Sequence, residues 1–293
     1  MGIPLPISLR AMTRDDVQAG LRLCRLSHWN QVARDWDQFL RLAPGGATVA
    51  VDPTGDVVGT VATLRYAGQS TTDALAWVAM VLVDPACRGG GIGTALLEAG
   101  LASVRDVATV GLDATPLGQP LYQKLGFTAD IALTRMRRPP AAPCGLGQGA
   151  SVRTAQASDL DAIATLDAHA TGLDRRAMLA WLLEGAPEYA WVSEGPRGID
   201  GVVLGRPGHT ASHLGPLHAV STPAALALVE ACVVRHPTHT FLLDVAEARP
   251  DWRQGVEALG FVAERPFTRM YRGPWRPSGD ATCLCASIGP EFG

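Results

Sequence analysis

The stretch of the chain that most constrains its fold is 80–99, which reads MVLVDPACRGGGIGTALLEA. Its apolar start, 80–83, predicts a buried strand that the following Asp-Pro ends. From Gly93 onward the composition favours a helix, with Ala95, Leu96 and neighbours on one face. A glycine-rich loop that opens into a helix presents free backbone N–H groups at the positive end of the helix dipole. We therefore expect this loop to bind a phosphate.

The spacing within the loop separates the known kinds of phosphate site. A Walker loop needs Gly-Lys-Ser/Thr, but the only lysine is Lys124. A dinucleotide-binding G-x-G-x-x-G motif would place its third glycine at Thr94 or Leu96. The pattern present is R-x-x-G-x-G from Arg88 to Gly93, after Val-Asp-Pro. A glycine-rich connection without a ligand is the alternative.

This pattern resembles the acyl-CoA pyrophosphate loop of the GNAT superfamily of N-acetyltransferases. The resemblance implies that acetyl-CoA is a cosubstrate, bound along the edge of the preceding strand and by the loop. The residues implied are Leu82, Val83, Arg88, Gly89, Gly90, Gly91, Ile92, Gly93 and Thr94. The first half also has the predicted element order of that fold: a strand, two helices, three strands, helix, strand, helix, strand.

The second half of the chain repeats motifs of the first half in the same order. In each half an Arg stands six residues before an Asp, and later a Leu-Asp pair, a Leu-Gly-Phe motif and a Thr-Arg-Met motif follow one another. They are Arg10 with Asp16, 112–113, 125–127 and 134–136, and then Arg153 with Asp159, 243–244, 259–261 and 268–270. The repeat predicts two copies of one fold.

The fold class predicted is α/β (α+β): two tandem acyl-CoA N-acyltransferase folds, each a mixed twisted sheet flanked by helices. We expect a catalytic domain at 1–138, a Pro/Gly-rich linker at 139–150 and a degenerate copy with a tail at 151–293. The second copy is expected to have lost its cofactor site. Ser-Thr-Pro-Ala at 221–224 replaces the arginine and glycines there.

Tyr122 is the predicted catalytic residue. It lies in Leu-Tyr-Gln-Lys-Leu-Gly-Phe at 121–127, which resembles the tyrosine motif of the same family. When an amine attacks the thioester, a CoA thiolate leaves and a phenol can protonate it. A tyrosine that only packs its ring is the alternative. The corresponding residue of the second copy is Val256.

The region of the first two helices shapes the acceptor pocket in this family. The expected substrate-binding residues are Trp29, Asn30, Gln31 and Trp36, although the tryptophans could equally pack the helix pair. No general base is assigned among His28, Asp35, Asp37 and Asp73. With RPFTRMY at 265–271 and a closing GPEFG, this region resembles a bacterial subgroup of two-domain acetyltransferases.

Composition limits the remaining classes. A net charge of −3 without a basic stripe argues against nucleic acid as a partner. The six cysteines include no C-x-x-C pair, and the histidines lack metal-ligand spacing, so we expect no metal. No apolar run is long enough to cross a membrane, and no secretion signal is recognised, so a reduced cytoplasmic protein is expected.

The sequence thus predicts an acetyl-CoA-dependent N-acetyltransferase, a monomer or homodimer, that acylates a primary amine of a small molecule. The alternative is a non-enzymatic acyl-CoA sensor or binding module. Tyr122 favours the enzyme, because a pure binder has no use for an acid that protonates a thiolate.

Overall fold

The computed structural model describes residues 6–68, 74–142, 151–247, 249–274 and 279–293. Asp73, Cys144 and most of the proposed linker lie outside them. The first half contains β1 (Ser8–Ala11), α1 (Val17–Leu26), α2 (Ala33–Leu42), β2 (Ala47–Val51), β3 (Val57–Gly68), β4 (Ala74–Val83), α3 (Ile92–Ser103), β5 (Thr109–Ala114), α4 (Gln119–Lys124) and β6 (Thr128–Arg138).

The second half follows the same order with two short strands added, β8 and β14. It contains β7 (Val152–Thr154), α5 (Leu160–Thr171), β8 (Leu173–Asp174), α6 (Arg176–Gly185), β9 (Trp191–Gly195), β10 (Gly198–Arg206), β11 (Ser212–Ala219), α7 (Thr222–Arg235), β12 (Phe241–Ala246), α8 (Pro250–Ala258), β13 (Val262–Arg272) and β14 (Leu284–Ala286). The predicted tandem α/β fold is therefore confirmed.

The repeated Arg–Asp motif has the same structural role in both copies. Arg10 Nη1 donates to Asp16 Oδ2 at 2.7 Å, and Arg153 Nη1 donates to Asp159 Oδ2 at 2.7 Å. Each aspartate also accepts the backbone N–H three residues before it, which closes the turn that leads into α1 or α5. The motif thus fixes how the first strand of each copy enters its first helix.

All strands of the described residues join in one sheet, and the two copies exchange their last long strands. The order is β1-β2-β3-β4-β5-β13-β6-β12-β14-β11-β10-β9-β7, with β8 paired to β3. Consequently β13 of the second copy lies beside β5 of the first, and β6 of the first lies beside β12 of the second. The two copies are continuous through their sheet rather than joined only by a linker.

Strands β4 and β5 separate part of the way along their length. Their parallel pairing runs from Leu75 to Trp77 on β4, opposite Thr109 to Gly111 on β5. Beyond this point β4 bulges at Met80, which has a left-handed φ of 55°, while β5 pairs with β13 on its other side. The edge of β4 that faces β5 is therefore open from Val78 to Val83.

In the second copy the equivalent opening is filled by the chain itself. β11 and β12 pair in parallel only from Ser212 to Leu214, and β14 then inserts between them. Its Ala286 is paired with Leu217 on β11 and with Val245 on β12. After β14 the segment 287–293 continues into the junction between the copies. There Phe292 stacks on Phe39 of α2, with ring centroids 5.1 Å apart.

Candidate active site

The gap between β4 and β5 opens into a cavity of about 1070 Å³. The glycine loop, the open edge of β4, the end of β5 and α4 form one side of it, and residues of β6, β13 and the segment 287–293 form the other. Both copies therefore contribute to one cavity. Its size is in the range of a site that holds a substrate together with a cosubstrate arm.

The loop ahead of α3 has the geometry that anion binding requires. Gly89 and Gly91 both have a φ of +84°, a conformation that side chains other than glycine rarely adopt. The first bond of the helix runs from the N–H of Ala95 to the carbonyl of Gly91, at 3.0 Å. The N–H groups of residues 92–94 precede that bond and point out of the helix N-terminus at the cavity wall.

Arg88 and the edge of β4 continue the same wall. Arg88 Nε donates to the carbonyl of Val83 at 3.2 Å, which holds the guanidinium beside the strand end. Thr60 Oγ1 donates to the carbonyl of Met80 at 2.8 Å and supports the bulge. Of the residues that the sequence assigned to the cofactor, all line the cavity except Gly90.

Tyr122 lies on α4 against the same cavity. Its ring packs edge-on to Phe127, with centroids 6.0 Å apart, and Gly118 makes room for it, since a Cβ there would lie 2.9 Å from Tyr122 Cε2. Burial raises the pKa of the Tyr122 phenol to about 12. The hydroxyl therefore stays protonated at neutral pH and acts as a hydrogen-bond donor.

The predicted acceptor residues divide into two pairs. Trp29 and Gln31 line the cavity together with His28. Asn30 does not. Its side chain donates to the carbonyl of Ala211 at 2.8 Å and accepts the N–H of Thr210 at 2.8 Å, so that it holds the loop before β11.

Trp36 also lies away from the cavity, fully buried in the core where Gly20 leaves space for its ring. Contacts between the copies hold the Asn30 side chain and the core encloses that of Trp36, so neither residue lines the cavity.

Neither Asp35 nor Asp37, two of the carboxylates considered as a general base, lines the cavity. Asp35 is fully buried, accepts the N–H of Val32 at 2.8 Å and faces Arg206 at 3.3 Å. Asp37 is exposed on α2. In the second copy, Arg175 forms a buried ion pair with Asp167 at 2.6 Å and also lies outside this cavity.

Several residues of the cavity were not assigned to it from the sequence. Arg135, Arg265 and Phe267 come from β6 and β13, and Pro290 and Glu291 come from the segment 287–293. Arg265 and Phe267 belong to the motif RPFTRMY, and Pro290 and Glu291 belong to the closing GPEFG. Both motifs contribute to the resemblance to a subgroup of two-domain acetyltransferases. Only the strand exchange shows that they reach the cavity of the first copy.

Two charged residues that line the cavity, Asp113 and Arg135, each belong to an ion pair. Arg269 Nε and Nη2 donate to the two carboxylate oxygens of Asp113 at 2.8 and 2.9 Å. Arg135 Nε and Nη2 donate to the two carboxylate oxygens of Asp244, both at 2.8 Å. Desolvation opposes charge on these aspartates, but the Arg135 guanidinium holds the pKa of Asp244 at about 2. Asp113 and Arg135 are thus neutralised by partners.

A cluster of three potential metal ligands lies away from the cavity. His169, Asp280 and Cys283 bring potential metal-ligand atoms within 4.8 Å of one another, but Asp280 is already used by its own turn, where it accepts from Thr282, and none of the three lines the large cavity. Within the described residues, no helix is long and apolar enough to cross a membrane.

Comparison with known protein families agrees with this geometry. Two models of the acetyltransferase (GNAT) domain match residues 44–129 and 163–284. The chain belongs to the GNAT superfamily and carries two copies of its domain; it is an acyltransferase.

Among its relatives, it is similar to holothin acyltransferase of Pseudoalteromonas sp. (strain SANK 73390), with 27% identity over 89% of this chain and 88% of that protein. It is also similar to mycothiol acetyltransferase of Arthrobacter sp. (strain FB24), 33% identical over 40% of this chain and 33% of that protein. A crystal structure from Pyrococcus horikoshii, assigned as an acetyltransferase, has a TM-score of 0.79 at 20% identity and covers 98% of this chain and 96% of its own.

Proposed function

We propose that the protein transfers an acetyl group from acetyl-CoA to a primary amine of a small molecule, by direct attack of the amine on the thioester. One observation carries this proposal: a single cavity is lined by the helix N-terminus, the open edge of β4 and Tyr122. The names of the two relatives, an acyltransferase and an acetyltransferase, support acyl transfer to a small acceptor.

Each part of the cavity has a role in this reaction. The N–H groups of residues 92–94 and the Arg88 guanidinium bind the pyrophosphate of acetyl-CoA. The open edge of β4 at 82–83 offers backbone groups to the pantetheine arm, much as a strand receives a neighbour. Tyr122 donates to the sulfur as the C–S bond breaks, and so stabilises the leaving thiolate.

A glycine substitution in the loop tests cosubstrate binding. Gly91→Val should weaken acetyl-CoA binding at least about tenfold in titration calorimetry, because the side chain forces the loop out of its φ of +84°. Gly55→Val is the matched control, since Gly55 has a φ of +94° in the β2–β3 turn and does not line the cavity. Equal affinity in both variants would refute the loop assignment.

Thiol release tests the reaction itself. Wild-type protein with acetyl-CoA and a panel of primary amines, holothin included, should release free CoA thiol with at least one of them. Butyryl- and hexanoyl-CoA in the same assay establish the preferred acyl chain. Binding of acetyl-CoA without thiol release from any amine would instead support the acyl-CoA-binding module.

A further inference from the structure

Three residues that line the cavity contain buried polar atoms that have no hydrogen-bond partner among the described residues. They are Gln31 Oε1, Arg265 Nε and the two carboxylate oxygens of Glu291, of which Oε1 faces Arg206 and Oε2 does not. Buried polar atoms are nearly always satisfied in folded proteins, by protein groups or by ordered water. Two acceptors and one donor around one cavity are therefore left without partners. They indicate that the ligand carries a donor for the two acceptors and an acceptor for the donor.

The fold holds Glu291 firmly at this position. The side chain is 2% exposed, and its carboxylate forms an ion pair with Arg206 on β10. Its neighbour Phe292 is fixed between Phe39 and Trp181, with the second ring edge-on at 5.5 Å. Gly289 is required beside it, since a Cβ there would lie 3.0 Å from Glu291 Oε2.

Arg265 differs from Arg135, which lines the same cavity. Arg135 and Arg265 both lie against the Phe267 ring, 5.1 and 4.9 Å from its centroid. Arg135 is neutralised by Asp244, whereas the Nε of Arg265 is buried without a partner. Burial lowers the pKa of Arg265 to about 10, so the group remains a cation at neutral pH. It can bind an oxygen of the ligand.

Resting on the proposed N-acetyltransferase function, we propose that Glu291 and Gln31 bind the amino group of the acceptor while Arg265 binds a carbonyl or carboxylate oxygen of the same molecule. The acceptor class is therefore a small amine that carries such an oxygen group. A segment beyond β14 of the noncatalytic copy thus supplies acceptor recognition to the catalytic copy.

The carboxylate also accounts for the protons of the reaction. The acceptor ammonium gives one proton to Glu291, and the free amine forms the new C–N bond with the thioester carbon. The C–S bond breaks with its electron pair on sulfur, which takes the Tyr122 proton. The nitrogen of the new amide loses its second proton to Tyr122, and Glu291 passes its proton to solvent.

Three probes with one aromatic skeleton test this assignment: phenylalaninamide, phenethylamine, which lacks the carbonyl group, and 3-phenylpropanamide, which lacks the amine. With acetyl-CoA, wild-type protein should use phenylalaninamide at least about tenfold better in kcat/KM than phenethylamine. A charged hydrogen bond contributes a factor of this order. 3-Phenylpropanamide should release no thiol and should inhibit competitively.

Two variants separate the contributions. Glu291→Gln should lower kcat/KM for both amines about 10- to 100-fold and leave acetyl-CoA affinity unchanged. Arg265→Met should reduce phenylalaninamide to the level of phenethylamine. Glu264→Gln is the matched control, because the Glu264 side chain is about one-third exposed, is paired with Arg137 and lies outside the cavity. If Glu291→Gln fails to fold, Glu291→Asp keeps the charge for Arg206, withdraws the carboxylate and should show the same loss.

Glu291→Gln with wild-type kcat/KM, or equal use of phenylalaninamide and phenethylamine, would overturn this inference and leave the acetyltransferase function standing. Absence of acetyl-CoA binding, or of thiol release with every amine, would instead overturn the proposed function.

Discussion

Asp113 and Arg269 lie directly opposite each other on β5 and β13, and they join the first copy to the second through two hydrogen bonds of 2.8 and 2.9 Å. Asp244 and Arg135 repeat this arrangement on β12 and β6, from the second copy to the first. The Leu-Asp motif of each copy therefore supplies the aspartate, and the Thr-Arg-Met motif of the other copy supplies the arginine, of two buried ion pairs between the copies.

We expect Arg269→Met to lower the free energy of unfolding by about 3–5 kcal/mol, because it leaves the Asp113 carboxylate buried without its partner. The double variant Asp113→Leu with Arg269→Met should recover most of that loss, since no unpaired charge remains. Urea unfolding followed by circular dichroism measures both.

The pair between Arg137 and Glu264 is the control for this experiment, because each side chain is about one-third exposed. Arg137→Met should change the free energy of unfolding by no more than about 1 kcal/mol. If Arg269→Met costs no more than Arg137→Met, the buried ion pairs do not hold the copies together.

Tyr122→Phe should lower kcat about 100- to 10,000-fold and leave the Kd of acetyl-CoA unchanged, because only the donor to the departing sulfur is lost. The rate of thiol release gives kcat, and titration calorimetry gives the Kd of acetyl-CoA. Tyr189→Phe is the matched control. The Tyr189 hydroxyl bonds Ser212 and His239 outside the cavity, so kcat should be retained.

The raised pKa of Tyr122 makes a second prediction. Because the phenol remains protonated until the pH approaches about 12, its titration should not reduce kcat between pH 7 and pH 10. A fall in kcat of wild-type protein with an apparent pKa near 10, absent from Tyr122→Phe, would show that the phenol is not buried as described.

Local patterns in the sequence were sufficient for the element order. The strand, loop and helix at 80–99 are contiguous in the chain, so their order is read directly from the sequence, whereas the place of Tyr122 beside the loop is implied by the resemblance of 121–127 to the tyrosine motif of the family. The repeat of Leu-Gly-Phe and Thr-Arg-Met likewise revealed two copies, because motif order is visible without knowledge of pairing.

The exchange of strands could not be predicted from these patterns. β6 and β13 have the same alternation whichever copy they join, and each carries an arginine that could pair with the aspartate of either copy; the pairs that form join residues more than a hundred positions apart. The roles of Asn30 and Glu291 depend on that exchange. The sequence alone therefore predicts Asn30 as a substrate-binding residue and Glu291 only as part of the C-terminal tail.

The position of strand β14 determines how many acetyl-CoA molecules we expect one chain to bind. Because Ala286 pairs with both β11 and β12, the cleft of the second copy has no open edge, and Ser221 caps α7 where the first copy has its glycine loop. Titration calorimetry should therefore find about one acetyl-CoA per chain. Gly91→Val should weaken all of the acetyl-CoA binding that is measured. A residual site of unchanged affinity in that variant would place a second acyl-CoA in the β11–β12 cleft.

His213 should make stability depend on pH in the mildly acidic range. Burial, aided by the nearby Arg206 and Arg135, lowers its pKa to about 3, although Asp244 lies 3.4 Å from its Nε2. The unfolded chain takes up this proton near pH 6.5 and the folded chain does not, so the free energy of unfolding falls as the pH drops below 6.5.

The loss should be roughly 2 kcal/mol between pH 7 and pH 5. Urea unfolding of His213→Gln should lack this slope, because glutamine does not titrate. Both proteins should still lose stability between about pH 4 and pH 2. In this range the unfolded chain protonates Asp16, whereas in the folded chain the Arg10 guanidinium holds the pKa of Asp16 at about 2. An identical slope from pH 7 to pH 5 in both proteins would mean that His213 is charged in the folded state.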